Sequence, residues 1–232
     1  MNIYENGSGD ELINPLNYND QIALYLKAES EIFGEIIKDY YLVVEIGCMD
    51  GRYTDFVLKS GKKYLGIDAV QRYIENAKKK YKSAIIDDKA AFFSTGLKDL
   101  EAVIADSQTQ SLKKTVAVFP FNSFGNIENI EQAIDIISNS LIDFVIFTYK
   151  TDKATQLIRE NYYSRSGFVN LDCIYDETGV RFISSEGLDS VAYSEKWLRE
   201  KFESSGRILK AREFGAIGQL FCILKQNFIG KL

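Results

Sequence analysis

The stretch Leu42-Val-Val-Glu-Ile-Gly-Cys-Met-Asp-Gly-Arg-Tyr53, followed by Tyr64-Leu-Gly-Ile-Asp68, decides the reading of this chain. A short apolar run ends in an acid and a glycine turn. A helix-like segment follows, and then a second apolar run ends in another acid. This is the order of a strand–loop–helix–strand unit that holds the adenosine half of a cofactor. Glycines let the backbone approach the ligand, the helix N-terminus offers free N–H groups, and an acid about 20 residues on takes the ribose hydroxyls.

The dinucleotide fingerprint G-x-G-x-x-G, started at Gly47, needs glycine where Met49 and Arg52 stand. The pattern present is Glu-x-Gly-x-x-x-Gly, formed by Glu45, Gly47 and Gly51. It resembles the first motif of class I S-adenosylmethionine-dependent methyltransferases, whose usual form is acid-x-Gly-x-Gly-x-Gly. Met49 replaces the middle glycine, while the outer glycines and both acids are in place. S-adenosylmethionine has no pyrophosphate to cradle, so its loop tolerates a side chain in the middle.

The resemblance implies S-adenosyl-L-methionine as cofactor and S-adenosyl-L-homocysteine as product. It implies that Glu45 sits near the tail ammonium and that the N–H groups around Gly47 and Cys48 meet polar groups. Asp68 then accepts both ribose hydroxyls, since one carboxylate binds two donors. Ala69 and Val70 pack on the adenine, and Asp87 or Asp88, read as the end of the third strand, bonds its amino group. Phe119 is placed beside the cofactor at the end of the fourth strand.

The 232 residues suffice for one α/β domain with an insertion or cap. Net charge is −5, and the longest basic run is Lys78-Lys79-Lys80, read as the solvated end of a helix. A large nucleic acid partner usually demands a basic stripe. A small-molecule or peptide acceptor is therefore favoured, with a protein or tRNA substrate the alternative. Cys48, Cys173 and Cys222 are odd in number and far apart, which suits a reducing compartment. The start Met-Asn-Ile-Tyr-Glu-Asn lacks a signal-peptide pattern, and no apolar run nears the ~18 residues of a membrane span. The expectation is a cytoplasmic protein with no membrane partner and no metal, with an oligomer possible. The chain contains no histidine, which removes Ser-His-Asp and Cys-His catalysis, the usual zinc sites and a histidine base.

Apolar residues at helical spacing from Asn19 to about Lys38 predict an N-terminal helical lid, residues 1–39. Strands are expected at 41–46, 64–68, 83–87, 115–121 and 142–149, with helices at 52–60, 70–81, 96–106 and 127–139. This alternation indicates parallel βαβ units and a cofactor-binding core over 40–150. Residues 151–192 are read as a substrate-side insertion. There Phe168–Tyr175 and Val180–Ser184 flank the turn Asp176-Glu-Thr-Gly179 as a β-hairpin. A helix capped by Ser194 and two closing strands, about 207–214 and 218–225, complete the domain over 193–232. The family resemblance implies a Rossmann-like, seven-stranded, mostly parallel sheet of order 3-2-1-4-5-7-6 with helices on both faces and an antiparallel last strand.

The fourth strand runs into Phe119-Pro-Phe-Asn-Ser-Phe-Gly-Asn126 at the edge where ligands of such folds bind. It looks like a rearranged version of the Asn/Asp-Pro-Pro-Tyr/Phe motif of amine and amide methyltransferases. Asn122 is the candidate for orienting the acceptor and Phe121 for contacting it, while Asn126 is read as a helix cap. Tyr193 is the candidate base for a hydroxyl acceptor. Aromatic Tyr163 and Trp197 are expected to hold a flat or cationic substrate, and Arg165 or Arg181 its carboxylate or phosphate. Methyl transfer to a small molecule, nitrogen slightly ahead of oxygen, is the leading expectation. A non-catalytic binder of the same cofactor and a nicotinamide-dependent oxidoreductase are the alternatives.

Overall fold

The computed structural model describes residues 3–106 and 114–225. Its centre is a seven-stranded sheet in which β1 (Leu42–Ile46), β2 (Lys63–Asp68), β3 (Ala90–Ser94), β4 (Thr115–Phe119) and β5 (Asp143–Tyr149) run parallel. Strands β9 (Arg207–Phe214) and β10 (Gly218–Lys225) close it as an antiparallel hairpin, giving the order β3-β2-β1-β4-β5-β10-β9. The expected order and the antiparallel last strand are both present.

The central strands are apolar on both faces because each face carries its own core. Along β1, Leu42, Val44 and Ile46 point to one side and Val43 to the other. Strand β4 repeats this with Ala117 and Phe119 against Val116 and Val118. On the face of Val43, Val116 and Val118, helix α2 (Asp20–Ile36) contributes Ile22, Tyr25 and Phe33, and α4 (Gln71–Lys80) contributes Ile74 and Ala77. On the second face lie α6 (Leu100–Asp106), α7 (Ile130–Asn139) and α9 (Glu195–Ser204). Caps foreseen or recognisable in sequence start several helices: Asn19 accepts from the Ile22 N–H, Asn129 from Gln132 and Ser194 from Trp197. Asn126, expected as the cap before α7, is not one; Asn129 takes that place.

Two elements depart from expectation. Residues 83–87 are not a strand: Lys82–Ile86 forms a helical turn, α5, and β3 begins only at Ala90. Asp88 turns left-handed at φ 55° and the Lys89 N–H closes onto the Ala84 carbonyl, ending the helix. Asp87 and Asp88 consequently precede β3 instead of following it, at the opposite edge of the sheet from the ligand side. The region after β5 is also richer than expected. Helix α8 (Lys153–Arg165), capped by Asp152, comes first. The predicted hairpin, β6 (Asp172–Tyr175) with β7 (Gly179–Ile183), is then joined by an unforeseen third strand, β8 (Asp189–Tyr193).

Candidate active site

The loops at the C-terminal ends of β1, β2 and β4 surround a cavity of about 490 Å³. Gly47 and Met49 follow β1, Asp68 through Val70 follow β2, and Pro120 through Ser123 follow β4. The true end of β3 adds Thr95 and Gly96, and the far end is lined by Tyr149, Tyr162, Tyr163 and Ser190. A shallow groove between α2 and Thr54–Lys59 (α3), lined by Gly34 and Phe56, gathers none of the expected site residues.

The β1–α3 loop is held by its backbone. The Gly47 N–H donates to the Ile67 carbonyl at 2.8 Å, and Gly47 has φ +75°. A side chain there would also close on the Ser123 Cβ at 3.1 Å. Asp68 accepts the Met49 N–H at 2.8 Å on one oxygen and the Val70 N–H at 2.9 Å on the other. Burial raises its pKa above the ordinary carboxylate value, against those two bonds. Each oxygen keeps a further lone pair, so two hydroxyl donors still fit. Ala69 lines the cavity beside it.

Other residues expected at the cofactor do not line this cavity. The Glu45 carboxylate turns inward, accepting the Tyr64 hydroxyl at 2.6 Å and the Tyr53 N–H at 3.1 Å. It is almost fully buried, and burial pushes its pKa up to about 7. It braces the loop from behind through these two bonds. Gly51, at φ +90°, is a packing glycine whose Cβ would come within 2.7 Å of the Tyr81 ring. Cys48 is buried under Gly66, where desolvation holds its thiol well above the usual value. Phe119 belongs to the second core with Phe124 and Phe144. Asp87 and Asp88 are exposed and pair with Lys89 and Lys63.

On the acceptor side, Phe121, Asn122 and Tyr163 do line the cavity. Phe121 and Asn122 both have positive φ, 45° and 59°, which folds the segment after β4 over the cavity floor. The Asn122 amide is engaged with the protein: it donates to Ser190 Oγ at 3.0 Å and accepts from the Thr148 hydroxyl. That locks it as a joint between β4, β5 and β8. Tyr193 packs between Phe124 and Trp197, with ring centroids 5.0 Å apart for the latter pair, and neither residue lines the cavity. Burial raises the Tyr193 pKa. Arg165 bonds the Asn17 and Leu16 carbonyls on the outside, and Arg181 pairs with Asp189 on the exposed face of the small sheet.

Several contributors escaped the sequence reading. Glu29 on α2 is completely buried, and its carboxylate accepts the Phe121 N–H at 2.9 Å, the Tyr53 hydroxyl at 2.7 Å and Arg52 at 3.2 Å. Arg52 lines the cavity, with its guanidinium 5.0 Å from the centre of the Phe121 ring. Burial is the largest single influence and opposes its charge, but Glu29, Tyr53, Glu45 and Tyr18 together outweigh it and hold its pKa above the ordinary value. The N-terminal segment, α1 (Ile3–Asn6) and the turn Ser8–Ile13, brings Tyr4, Glu5, Leu12 and Ile13 to the rim. Arg72 at the start of α4 holds it, bonding Asp10 at 2.9 Å and the Tyr4 carbonyl at 2.8 Å. From the other side, Asn126 donates to the Tyr4 hydroxyl at 2.8 Å.

Among the described residues no group of three or more His, Cys, Asp or Glu could hold a metal ion, and no helix is long and apolar enough to cross a membrane. No protein-family model matches the chain, and no curated protein matches it in sequence. Solved structures match it in fold. A Pyrococcus horikoshii protein superposes with TM-score 0.61 at 13% identity over 90% of this chain and 93% of its own. The Burkholderia thailandensis 1,6-didemethyltoxoflavin N1-methyltransferase, with bound substrate and S-adenosylhomocysteine, gives 0.58 at 12% identity, covering 90% and 80%. The Synechocystis magnesium protoporphyrin IX methyltransferase, also with S-adenosylhomocysteine, gives 0.56 at 11%, covering 97% and 96%. At these identities the likeness is one of architecture: the chain has the Rossmann-like fold that S-adenosylmethionine-dependent methyltransferases share.

Proposed function

We propose that this protein transfers a methyl group from S-adenosylmethionine to a small-molecule acceptor, nitrogen ahead of oxygen. The observation that carries this reading is the position of Asp68. Its two oxygens each retain a lone pair at the mouth of a cavity whose other wall is the Gly47–Met49 turn. Asp68 would hold the ribose hydroxyls, with Ala69 and Val70 against the adenine, and Arg52 would lie beside the amino acid tail. The Thr95–Gly96 segment takes the adenine-edge role expected of Asp87 or Asp88.

When bound, the cofactor supplies an electrophilic methyl on a sulfonium centre. The chain's own contribution is alignment and exclusion of water. Phe121, Tyr149 and Tyr162 wall the far end and the Tyr4–Ile13 segment roofs it. Such alignment supplies several kcal/mol, of order 7–11 in well-oriented cases. Nitrogen is favoured because a neutral amine needs no strong base, the chain has no histidine, and Tyr193 stands in the core away from the cavity. The net charge of −5 and the roofed cavity support a small acceptor over tRNA. The three unpaired cysteines fit a reducing compartment such as the cytoplasm.

The test is to incubate the protein with S-adenosylmethionine and a fractionated extract of small metabolites and to follow S-adenosylhomocysteine by mass spectrometry. Acceptor-dependent accumulation, with one fraction gaining a methyl mass, supports the reading. Tight cofactor binding with no accumulation above the blank in any fraction would favour a non-catalytic binding protein.

A further inference from the structure

The far end of the cavity conceals a buried cation. Arg159 on α8 is completely buried. Its hydrogen-bond partners are all neutral: Gln156 Oε1 at 2.8 Å, the Ser190 carbonyl at 3.0 Å, the Val180 carbonyl at 3.3 Å and the Tyr163 hydroxyl at 3.2 Å. The rings of Tyr149, Tyr163 and Phe182 lie 4.9–5.6 Å from its guanidinium carbon. Buried charges are ordinarily paired with an opposite charge, because desolvating one alone is costly. Among the described residues this positive charge, standing behind the cavity wall, bonds only dipoles and faces π-systems.

Proton counting shows where this charge is felt. Tyr163 accepts from Arg159, so its own proton points elsewhere, and Ser190 Oγ lies 3.0 Å from its hydroxyl. Ser190 Oγ also accepts from the Asn122 amide at 3.0 Å. The two hydroxyls carry two protons, and their mutual bond consumes one. Everything else that bonds the pair is a donor. Among the hydrogen bonds of the described residues none takes the remaining O–H, on residues that line the cavity yet are only 2–3% exposed. A buried donor without a partner is costly, so a ligand oxygen is the natural occupant.

We propose that the Ser190–Tyr163 pair, backed by Arg159, seats the carboxylate of the methyl acceptor, which is a flat aromatic acid. Phe121, Tyr149 and Tyr162 supply the apolar walls for its ring. An O–H donor backed by a cation prefers a carboxylate to a neutral carbonyl. The term "methyl acceptor" rests on the function proposed above; the anion seat itself rests on Arg159, Tyr163 and Ser190. Expected as the anion holders from sequence, Arg165 and Arg181 lie outside the cavity, and a buried arginine on an unforeseen helix takes their place.

The test is calorimetry on the full chain saturated with S-adenosylhomocysteine, using benzoate, benzamide and aniline as probes, with thermal melts of each variant. Benzoate should bind about tenfold or more tighter than aniline, with benzamide between them. Ser190→Ala and Tyr163→Phe each leave one spare proton, so each should weaken benzoate by less than about fivefold. The double variant removes the donor altogether and should weaken it by more than about tenfold, beyond the product of the singles. Benzoate affinity unchanged in a folded double variant, aniline binding as well as benzoate, or no benzoate binding at millimolar concentration would each overturn the proposal. If the double variant does not fold, the ranking of the three probes on the unmodified chain decides. If S-adenosylhomocysteine fails to bind while the benzoate pattern holds, the methyl-transfer reading falls and the anion seat stands.

Discussion

Asp68 and Met49 are joined by a 2.8 Å hydrogen bond from the Met49 N–H to the Asp68 carboxylate, and Met49 makes it with φ +49°. The left-handed backbone that glycine adopts freely is thus imposed on a methionine, at the position where the resembled motif has its middle glycine. The bond across the two loops holds that conformation. Residues in this region cost of order 1–3 kcal/mol unless glycine relieves it. Met49→Gly is expected to leave stability level or raise it by up to about 1 kcal/mol, while Met49→Val, β-branched, lowers it by more than about 1 kcal/mol. Urea unfolding of the two variants checks this; equal stability would contradict the strain.

Asp68→Ala strands two backbone donors, those of Met49 and Val70. Charge-assisted bonds of this kind are worth about 1.5–3 kcal/mol each before relaxation, so a loss of about 2–4 kcal/mol is expected. Chemical denaturation measures it. A loss below about 0.5 kcal/mol would show that Asp68 does not hold the two loops.

Glu45 makes stability depend on pH. Its carboxyl is pushed from 4.5 to about 7 in the fold, chiefly by burial, with the Tyr64 and Tyr53 bonds opposing. The folded state therefore binds the proton more tightly than the unfolded chain. Its favourable contribution is fully present below pH 4.5 and is lost as pH rises through about 7. The span corresponds to roughly 3 kcal/mol as an order of magnitude. Glu45→Gln keeps an acceptor oxygen without the charge, so it should gain on the parent from pH 5 to pH 8. Unfolding free energies of both proteins across that range give the answer. A pH-independent difference would contradict the buried, proton-retaining Glu45.

Arg72 ties the lid through partly exposed contacts, its side chain and that of Asp10 being 39% and 41% accessible. Such a pair contributes about 1 kcal/mol or less to global stability. Arg72→Ala should therefore barely move the denaturation midpoint, yet accelerate amide exchange over residues 3–13 by roughly tenfold, since local opening loses its latch. Unchanged exchange there would place the restraint elsewhere, on Asn126 or on the Tyr162 hydroxyl, which donates to the Leu12 carbonyl.

How much of this could be read from sequence depended on how local each signal was. The β1–loop–β2 unit was legible because apolar run, acid, glycine and second acid lie within 27 residues. The closing hairpin and the Ser194 cap were legible for the same reason. The Ala84-Ile-Ile86 run misled, because a short apolar run suits a strand and a buried helix turn alike, and Ile86 is in fact exposed. That error carried Asp87 and Asp88 to the wrong edge. Helix α8 was missed because its buried positions are Thr155, Gln156, Arg159, Tyr162 and Tyr163, which give no apolar period. Nothing in the local sequence marks Glu29 on α2 as buried. Its partners Arg52, Tyr53 and Phe121 lie 23–92 residues away, a pairing no local pattern carries.

Calorimetry of the intact protein with S-adenosylmethionine, S-adenosylhomocysteine and NAD, repeated on Asp68→Asn, tests the central claim most directly. Asparagine keeps one acceptor oxygen for the loop but cannot accept both ribose hydroxyls. The account predicts micromolar binding of both adenosyl-sulfur ligands, at least about tenfold weaker in the variant, and no binding of NAD. NAD binding alone, or adenosyl ligands indifferent to Asp68→Asn, would contradict it.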